Sequence, residues 1–582
     1  MSHYQPRLDD VQFVLHHVLR APERIAALTP YAEVDADLIN QILDEGSKFI
    51  AEQIAPLNQV GDAIGAKWHD GNVTMPPGFK DAYQAFWQAG WASLSTATDD
   101  GGQGLPAVLE SVLYEWLSAA NHGWTMAPGL LHGAYECIKH HASDELKVQY
   151  LSKVGTGEWL ATMCLTEPHA GSDLGLASTK AVPQADGAYL ISGTKIFISG
   201  GEHDLTDNIV HLVLARLPDA PAGPKGLSLF LVPKFYPNGE KESWVRSAVH
   251  CERIEEKMGI HGSPTCVMRF DEARAWLVGD IGRGLNAMFV MMNAARLHVA
   301  LQGVGLLDAA WQKADVYAHE RRQMRAPRPK GASPSVAGDK GTARADLIIE
   351  HPAMRRILDT QRAWVDGARV LAYETGLALD EAKHHPDAKQ RESAQRWCAL
   401  ITPVLKSACT EQGFHGASEC LQVFGGHGYV SEWGIEQNVR DARIAMIYEG
   451  TNEIQAIDLL MRKVVSDGGV ALNAMLDALA HGLSDGKTHE AHVLQLFAQL
   501  KATTQTCLQA AQQSDGQVRL SWIAGDYLRM ATLALLAWSW TRIETAEGSN
   551  APRWQAPAAA LRAWVLPEFG MRSGIIEAQL GH

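Results

Sequence analysis

Residues 160–280 carry a succession of short β-forming runs, and the sequence on both sides of them is helical in pattern. Ala188–Ser192 and Lys195–Ser199 are rich in β-formers, and Asp186-Gly187 has the composition of a hairpin turn. Ile209–Leu217, Gly226–Val232 and Cys266–Phe270 read in the same way. Strands gathered in one block between blocks of helix predict an α+β fold, mostly α, with segregated layers. A doubly wound fold needs strands and helices in alternation, and here they do not alternate.

Upstream, a helical pattern runs from Asp35 to about Ser152, with Leu43, Ile50, Ile54 and Leu57 on one stripe that Pro56 is expected to close. The DDGGQG run at 99–104 breaks the pattern and Val108 to Trp116 restores it; residues 4–19 look like a separate short helix or arm. Downstream, Leu285, Met288, Phe289, Met292 and Val299 mark a long helix that is apolar on much of its circumference and should be central. Helix resumes from His351 to about Ser466, and Gly468-Gly469 separates it from an Ala/Leu-rich helical tail with the composition of a further bundle. Segment 326–345, rich in Pro, Gly and basic residues and without periodicity, reads as an exposed, mobile insertion. The resulting division is an arm at 1–34, a helical domain at 35–159, a β domain at 160–280, a helical bundle at 284–466 and an additional helical domain at 470–582.

A chain of 582 residues is too long for one core, which agrees with several packed units. Its formal charge of −15 and its lack of a basic stripe argue against a nucleic-acid partner. The opening residues lack the pattern of a signal peptide, and no apolar run is long enough to span a bilayer, so the expected location is cytoplasmic. The eight Cys never fall at CxxC spacing, and His occurs in adjacent pairs such as His140-His141 and His384-His385. Buried, idle thiols, solvated surface His and no metal site are expected.

Five segments could carry chemistry. In CLTEPHAGSD (164–173), Thr166 and Ser172 bracket a Pro/Gly turn that can offer donors to an anion or a polarised heterocycle; it can equally be a plain loop. In KIFISGGE (195–202), a strand ends in two glycines and can set Phe197 and Ser199 against a flat ligand, although Phe197 also suits a core. Arg321, followed by Arg322 and Arg325, suits phosphate oxygens or a solvated helix end. LQVFGGHGY (421–429) lacks a dinucleotide fingerprint, and its glycines permit either close backbone approach or a helix C-cap. In IAMIYEGTNEIQ (444–455), Glu449 follows an apolar run, where desolvation would raise its pKa toward that of a usable base; alternatively it sits beside a helix that starts at Thr451.

Taken together, in this order, the five segments resemble the acyl-CoA dehydrogenase family over roughly residues 35 to 465. The arm and tail further resemble a larger bacterial branch that includes methylthiopropanoyl-CoA dehydrogenases and several fatty acyl-CoA enzymes. The resemblance implies an N-terminal helical domain, a middle β-barrel-like domain and a C-terminal four-helix bundle, here with an extra helical domain. It implies an oxidoreductase with FAD as cofactor, acting in fatty acid metabolism such as β-oxidation, in which Leu165 and Thr166 bond the flavin, Ser199 faces its N5 region and Phe197 packs on the ring. Thr451 and Glu453 complete those contacts. Arg321 and Gln422 to Gly426, Gly425 and Gly426 included, would reach the FAD of a neighbouring subunit, so a homodimer or larger is implied. Ser172, Asn293, Arg296 and Gly450 would meet the acyl-CoA substrate, and Trp124, Met126, Met291 and Met292 would line the acyl pocket or simply fill core.

The implied chemistry is α,β-dehydrogenation to the trans-2-enoyl-CoA: Glu449 takes the α-proton, the β-hydrogen leaves as hydride to the flavin, and electrons pass to an electron-transfer flavoprotein. The substrate would be a fatty acyl-CoA or 3-methylthiopropanoyl-CoA. Some relatives carry the base on the long helix, where this chain has Ala295. The chain departs from the family in Phe197 for a common Trp, His169 for Gly, Asn293 for Asp, and Gln323-Met324-Arg325 after Arg321. Competing expectations are an acyl-CoA oxidase that returns electrons to oxygen and a non-catalytic, DNA-binding alkylation-response flavoprotein; the acidic balance opposes the second.

Overall fold

The structure, a computed structural model, describes residues 3–237, 244–328 and 345–581. Residues 329–344, most of the expected 326–345 insertion, lie outside the described residues. The chain forms two compact units, one of Gln41–His298 and one of Met1–Asn40 with Val299–His582.

The unit at Gln41–His298 joins helices to the expected β block. Pro56 does not close the first helix as expected: it sits in a 3-10 turn, Ala55–Leu57, and helix resumes at Asn58–Ile64. Proline lacks only its N–H and fixes only φ, so at the start of a turn it fits the winding. The helical reading of 35–152 also missed a hairpin, β1 (Lys67–His69) with β2 (Asn72–Thr74), whose turn places Asp70 and Gly71 at positive φ. Helix α1 (Ala107–Ala120) is buried along nearly its whole length.

The sheet is built from β3 (Leu160–Cys164), β4 (Lys180–Pro183), β5 (Tyr189–Ser199), β6 (Ile209–Arg216) and β7 (Leu227–Pro233). A short pair, β8 (Phe235–Pro237) with β9 (Trp244–Arg246), follows, and then β10 (Val249–Ile254) and β11 (Thr265–Val278). The order is β10-β11-β5-β4-β6-β3, and β7 pairs with both β6 and β11, which curls the sheet toward a barrel. Ile191, Val213, Phe230 and Phe270 meet in its core. The two runs expected at 188–199 are one strand, joined to β4 through the expected turn, with Gly187 at φ 83°.

Helix α2 (Gly284–Glu320) is the expected long helix. In the second unit its C-terminal half packs with α3 (Pro352–His384) and α4 (Ala388–Phe424). A Cβ on Gly303 of α2 would fall 2.2 Å from the Cys409 carbonyl oxygen of α4, so the two backbones approach as closely as only glycine allows. Gly468 and Gly469 both have positive φ and end the bundle. The tail beyond them packs onto that bundle: in α5 (Gly516–Thr545), Trp540 donates to the Ala363 carbonyl of α3 at 2.9 Å. No helix among the described residues is long and apolar enough to cross a membrane.

Candidate active site

The CLTEPHAGSD loop and the KIFIS strand, thirty residues apart in sequence, lie side by side. Ile196 N donates to the Thr166 carbonyl at 2.9 Å. Lys195, fully buried, donates to the Leu165 carbonyl at 3.1 Å and to Glu167 Oε1 at 2.8 Å. Glu167 also accepts from the backbone N–H and hydroxyl groups of Ser178 and Thr179, at 2.6–3.0 Å. Burial pushes the Glu167 carboxyl up, but Lys195 and these donors outweigh it and hold the group at about 2. The buried pair therefore pins the loop to the strand.

The strand itself is bulged. Cys266 pairs with Ile198 and Met268 with Lys195, so β5 carries one residue more than β11 across this step. Phe197 takes up the extra residue at φ 59° and holds its ring outward, 62% exposed. The core alternative for Phe197 is thereby excluded; a large side chain kept in a left-handed conformation and in solvent is what a flat ligand would cover. Beyond it Ser199 is half-buried, Gly200 has φ 61°, and a Cβ on Gly201 would meet Met268 and Cys266 at 2.8–2.9 Å. Ser172 is exposed on the loop. On α2, Arg296 donates to Asn293 at 3.2 Å, while Trp124, Met126, Met291 and Met292 are buried.

In the other unit, α4 ends at Phe424 and Gly425 caps it at φ 58°. Gln422, Gly425 and Gly426 are exposed, and no atom lies within 4 Å of where a Cβ on either glycine would stand. An aromatic stack that sequence reading missed supports this loop. His427 lies flat on Trp433, with centroids 4.6 Å apart, and its Nδ1 is 2.9 Å from the Tyr317 hydroxyl. Arg321 is exposed just past α2, where its carbonyl accepts from Ile348 N at 2.8 Å.

Glu449 is half-buried in a tightly held turn. Before it, Tyr448 donates to Gln302 of α2, and burial pushes its phenol well up. After it, Gly450 has φ 71° and its carbonyl accepts from Gln455 Nε2 at 3.1 Å. Thr451 Oγ1 caps a short helix (Asn452–Ile457) by accepting from Ile454 N at 3.4 Å, so a helix does start at Thr451, as the alternative reading of this segment expects. Glu453 is exposed. Asn452 Oδ1 accepts from Lys406 Nζ at 3.0 Å and Thr410 Oγ1 at 3.1 Å. Lys406 is fully buried, and sequence reading missed it because its partner lies 46 residues away.

The eight Cys are all free, and seven are buried. Among the described residues no group of three or more His, Cys, Asp or Glu could hold a metal ion. The reading of His as solvated surface needs correction: His122, His203, His211 and His298 are buried, and burial lowers the pKa of each.

Family models match the chain in three consecutive parts: the acyl-CoA dehydrogenase N-terminal domain at 38–158, the middle domain at 162–273 and the C-terminal domain at 335–464. The 3-methylmercaptopropionyl-CoA dehydrogenase of Ruegeria pomeroyi is 41% identical over 96% of this chain and 94% of its own length. A broad-specificity linear acyl-CoA dehydrogenase, FadE5 of Mycobacterium tuberculosis, is 37% identical over 81% of this chain and 77% of its own. Among solved structures, an acyl-CoA dehydrogenase complexed with FAD from Bacillus anthracis shares the fold, with a TM-score of 0.71, 22% identity and coverage of 96% of this chain and 89% of that one. The chain belongs to the acyl-CoA dehydrogenase family and is an enzyme of it, an oxidoreductase with the family's α+β, mostly helical fold.

Proposed function

We propose that the chain uses FAD to oxidise 3-methylthiopropanoyl-CoA or a fatty acyl-CoA to the trans-2-enoyl-CoA, with Glu449 removing the α-proton. The observation that carries this reading is the held turn at 448–452, which presents one half-buried carboxylate between an anchored Tyr448 and an anchored Asn452. The whole-length similarity to the Ruegeria enzyme supports the thioether substrate.

The residues fit FAD. Phe197 offers an exposed ring beside the pinned Leu165–Thr166 backbone and Ser199, and Gly425 and Gly426 offer bare backbone toward open space. Leu165, Thr166, Ser199, Thr451 and Glu453 would hold the flavin and Phe197 would cover it. Arg321, Gln422, Gly425 and Gly426 would serve the FAD of a neighbouring subunit in a dimer or larger assembly. Bound FAD supplies the acceptor for the β-hydrogen as hydride. Ser172, Asn293, Arg296 and Gly450 would orient the CoA thioester. The backbone N–H of Glu449 would donate to the thioester oxygen, where charge develops as the α-proton leaves, an oxyanion-hole role. Exclusion of water by the bound acyl chain keeps the Glu449 carboxylate basic. An electron-transfer flavoprotein is the proposed electron acceptor, and the five-part division from 1–34 to 470–582 is the proposed domain plan.

Anaerobic bleaching of the flavin across short, medium, long and methylthio acyl-CoAs tests the substrate. Glu449→Gln should stay yellow, bind acyl-CoA and lose bleaching; bleaching at the wild-type rate would show that another base operates. Peroxide release without an added acceptor would favour the oxidase reading.

A further inference from the structure

We propose that Lys406 is a positioning residue for the base, holding the Glu449 turn in its working register from the facing helix. This rests on Glu449 being the base. Lys406 is fully buried in α4, an expensive place for an ammonium. Its Nζ donates to Asn452 Oδ1 at 3.0 Å and lies 5.8 Å from the centre of the Tyr448 ring. These are residues on either side of Glu449, one position before it and three after, so a single cation grips both ends of the turn.

The rest of the contact is built around the same grip. Thr410, one turn further along α4, donates its hydroxyl to the same Asn452 oxygen at 3.1 Å, and Asn452 Nδ2 donates to the Ser407 carbonyl at 3.2 Å. The Asn452 carboxamide thus has its oxygen and its nitrogen both engaged by one stretch of helix, which fixes its orientation. Between the two gripped residues the chain bends through Gly450 at φ 71°, a conformation with little intrinsic preference to hold the carboxylate still. Proton abstraction is sensitive to such placement, because a displacement of about 1 Å can cost on the order of a hundredfold in rate. Binding of the CoA thioester draws on Ser172, Asn293 and Arg296 outside this turn as well, so a loosened turn should cost it less than it costs the rate.

The test compares Lys406→Met and Asn452→Ala with the wild-type holoenzyme and with Glu449→Gln. Affinity is read from the spectral change when a saturated acyl-CoA binds the oxidised flavin, and rate from anaerobic bleaching with substrate carrying hydrogen or deuterium at the α-carbon. Lys406→Met should keep its flavin and bind substrate within about threefold of wild type, yet bleach roughly ten- to a hundredfold more slowly. Its α-deuterium isotope effect should rise, because abstraction becomes the slow step. Asn452→Ala should show the same split to a smaller degree, and it decides the matter should Lys406→Met fail to yield folded protein. Wild-type rate and isotope effect in the folded variants, or a loss confined to binding, would overturn the proposal. If Glu449→Gln bleaches normally, the base assignment fails instead, whatever the Lys406 variant does.

Discussion

Replacing Lys195 by Met tests whether the proposed flavin loop, 164–173, is held by a buried ion pair. The substitution keeps the stem's volume and removes the ammonium from a site that is fully buried, leaving Glu167 with its Ser178 and Thr179 donors and, 3.7 Å away, the imidazole of His169. The Glu167 carboxyl lies at about 2 instead of its ordinary 4.5, a stabilising contribution that is partly offset because burial lowers the pKa of the Lys195 ammonium. That contribution is fully present above pH 4.5 and is lost as the pH falls through 2, since the lowered pKa belongs to the folded state. Breaking such a pair from one side costs about 3–5 kcal/mol. In a cooperative unit of roughly 250 residues, the lower figure lowers the unfolding midpoint by about 6–12 °C. Thermal unfolding of the holoenzyme should therefore show a large loss at neutral pH that shrinks on acidification, together with faster flavin release because the Leu165 carbonyl loses its donor. Adding Glu167→Gln should recover part of the loss by removing the stranded charge. A single variant within about 1 kcal/mol of wild type, or a double variant no better than the single, would refute the reasoning.

Two further substitutions probe the strand beside that loop. Phe197→Ala keeps the left-handed backbone and removes the exposed ring, so stability should change by less than about 1 kcal/mol while the apoprotein's affinity for FAD falls, as read by flavin fluorescence on titration. Gly201→Ala forces a methyl against Met268 and Cys266 and should cost about 1–3 kcal/mol in denaturant unfolding, with the holoenzyme spectrum altered because the strand end must shift.

What sequence reading recovered is mostly what short-range chemistry encodes. The Asp186-Gly187 turn, the glycines after Ser199 and the Gly468-Gly469 break each impose a local backbone state, and each stands where the composition places it. The β1–β2 hairpin escaped because its strands are three residues each, too short for alternation to outweigh the helical pattern around them. Pro56 misled because proline within the first turn of a new helical segment looks the same in sequence as proline that ends a helix. The proposed site residues were visible as motifs, whereas their supports were not. Lys195 sits inside the KIFIS motif but acts through Glu167, 28 residues earlier; Lys406 and the Tyr317–His427–Trp433 stack act over longer separations still. No local pattern encodes a pairing of that kind, because it is set by which elements the core brings together.

The arm and the tail form one compact unit with the helical bundle and are not appendages to it. The family models leave residues before 38 and after 464 unmatched. Yet Arg7 of the arm reaches Asp308 of α2 at 2.6 Å, and Asp10 accepts from Arg362 of α3 at 2.5 Å. Asp10 also meets Arg553 of the tail at 2.8 Å, and Phe13 stacks on Trp554 with centroids 4.6 Å apart. Within α3, Arg362 and Arg369 both bond Asp366, and Asp308, Asp366 and Arg369 are fully buried. Charges at that depth are tolerable only while every partner is present, since one left unpaired costs several kcal/mol. The arm thus adds a partner to the bundle's buried Asp308, and the tail adds one to the arm's Asp10, which Arg362 already engages. An ion network joins the three segments within one compact unit, and the similarity to the Ruegeria enzyme likewise extends over 96% of the chain, beyond the three domains the family models describe.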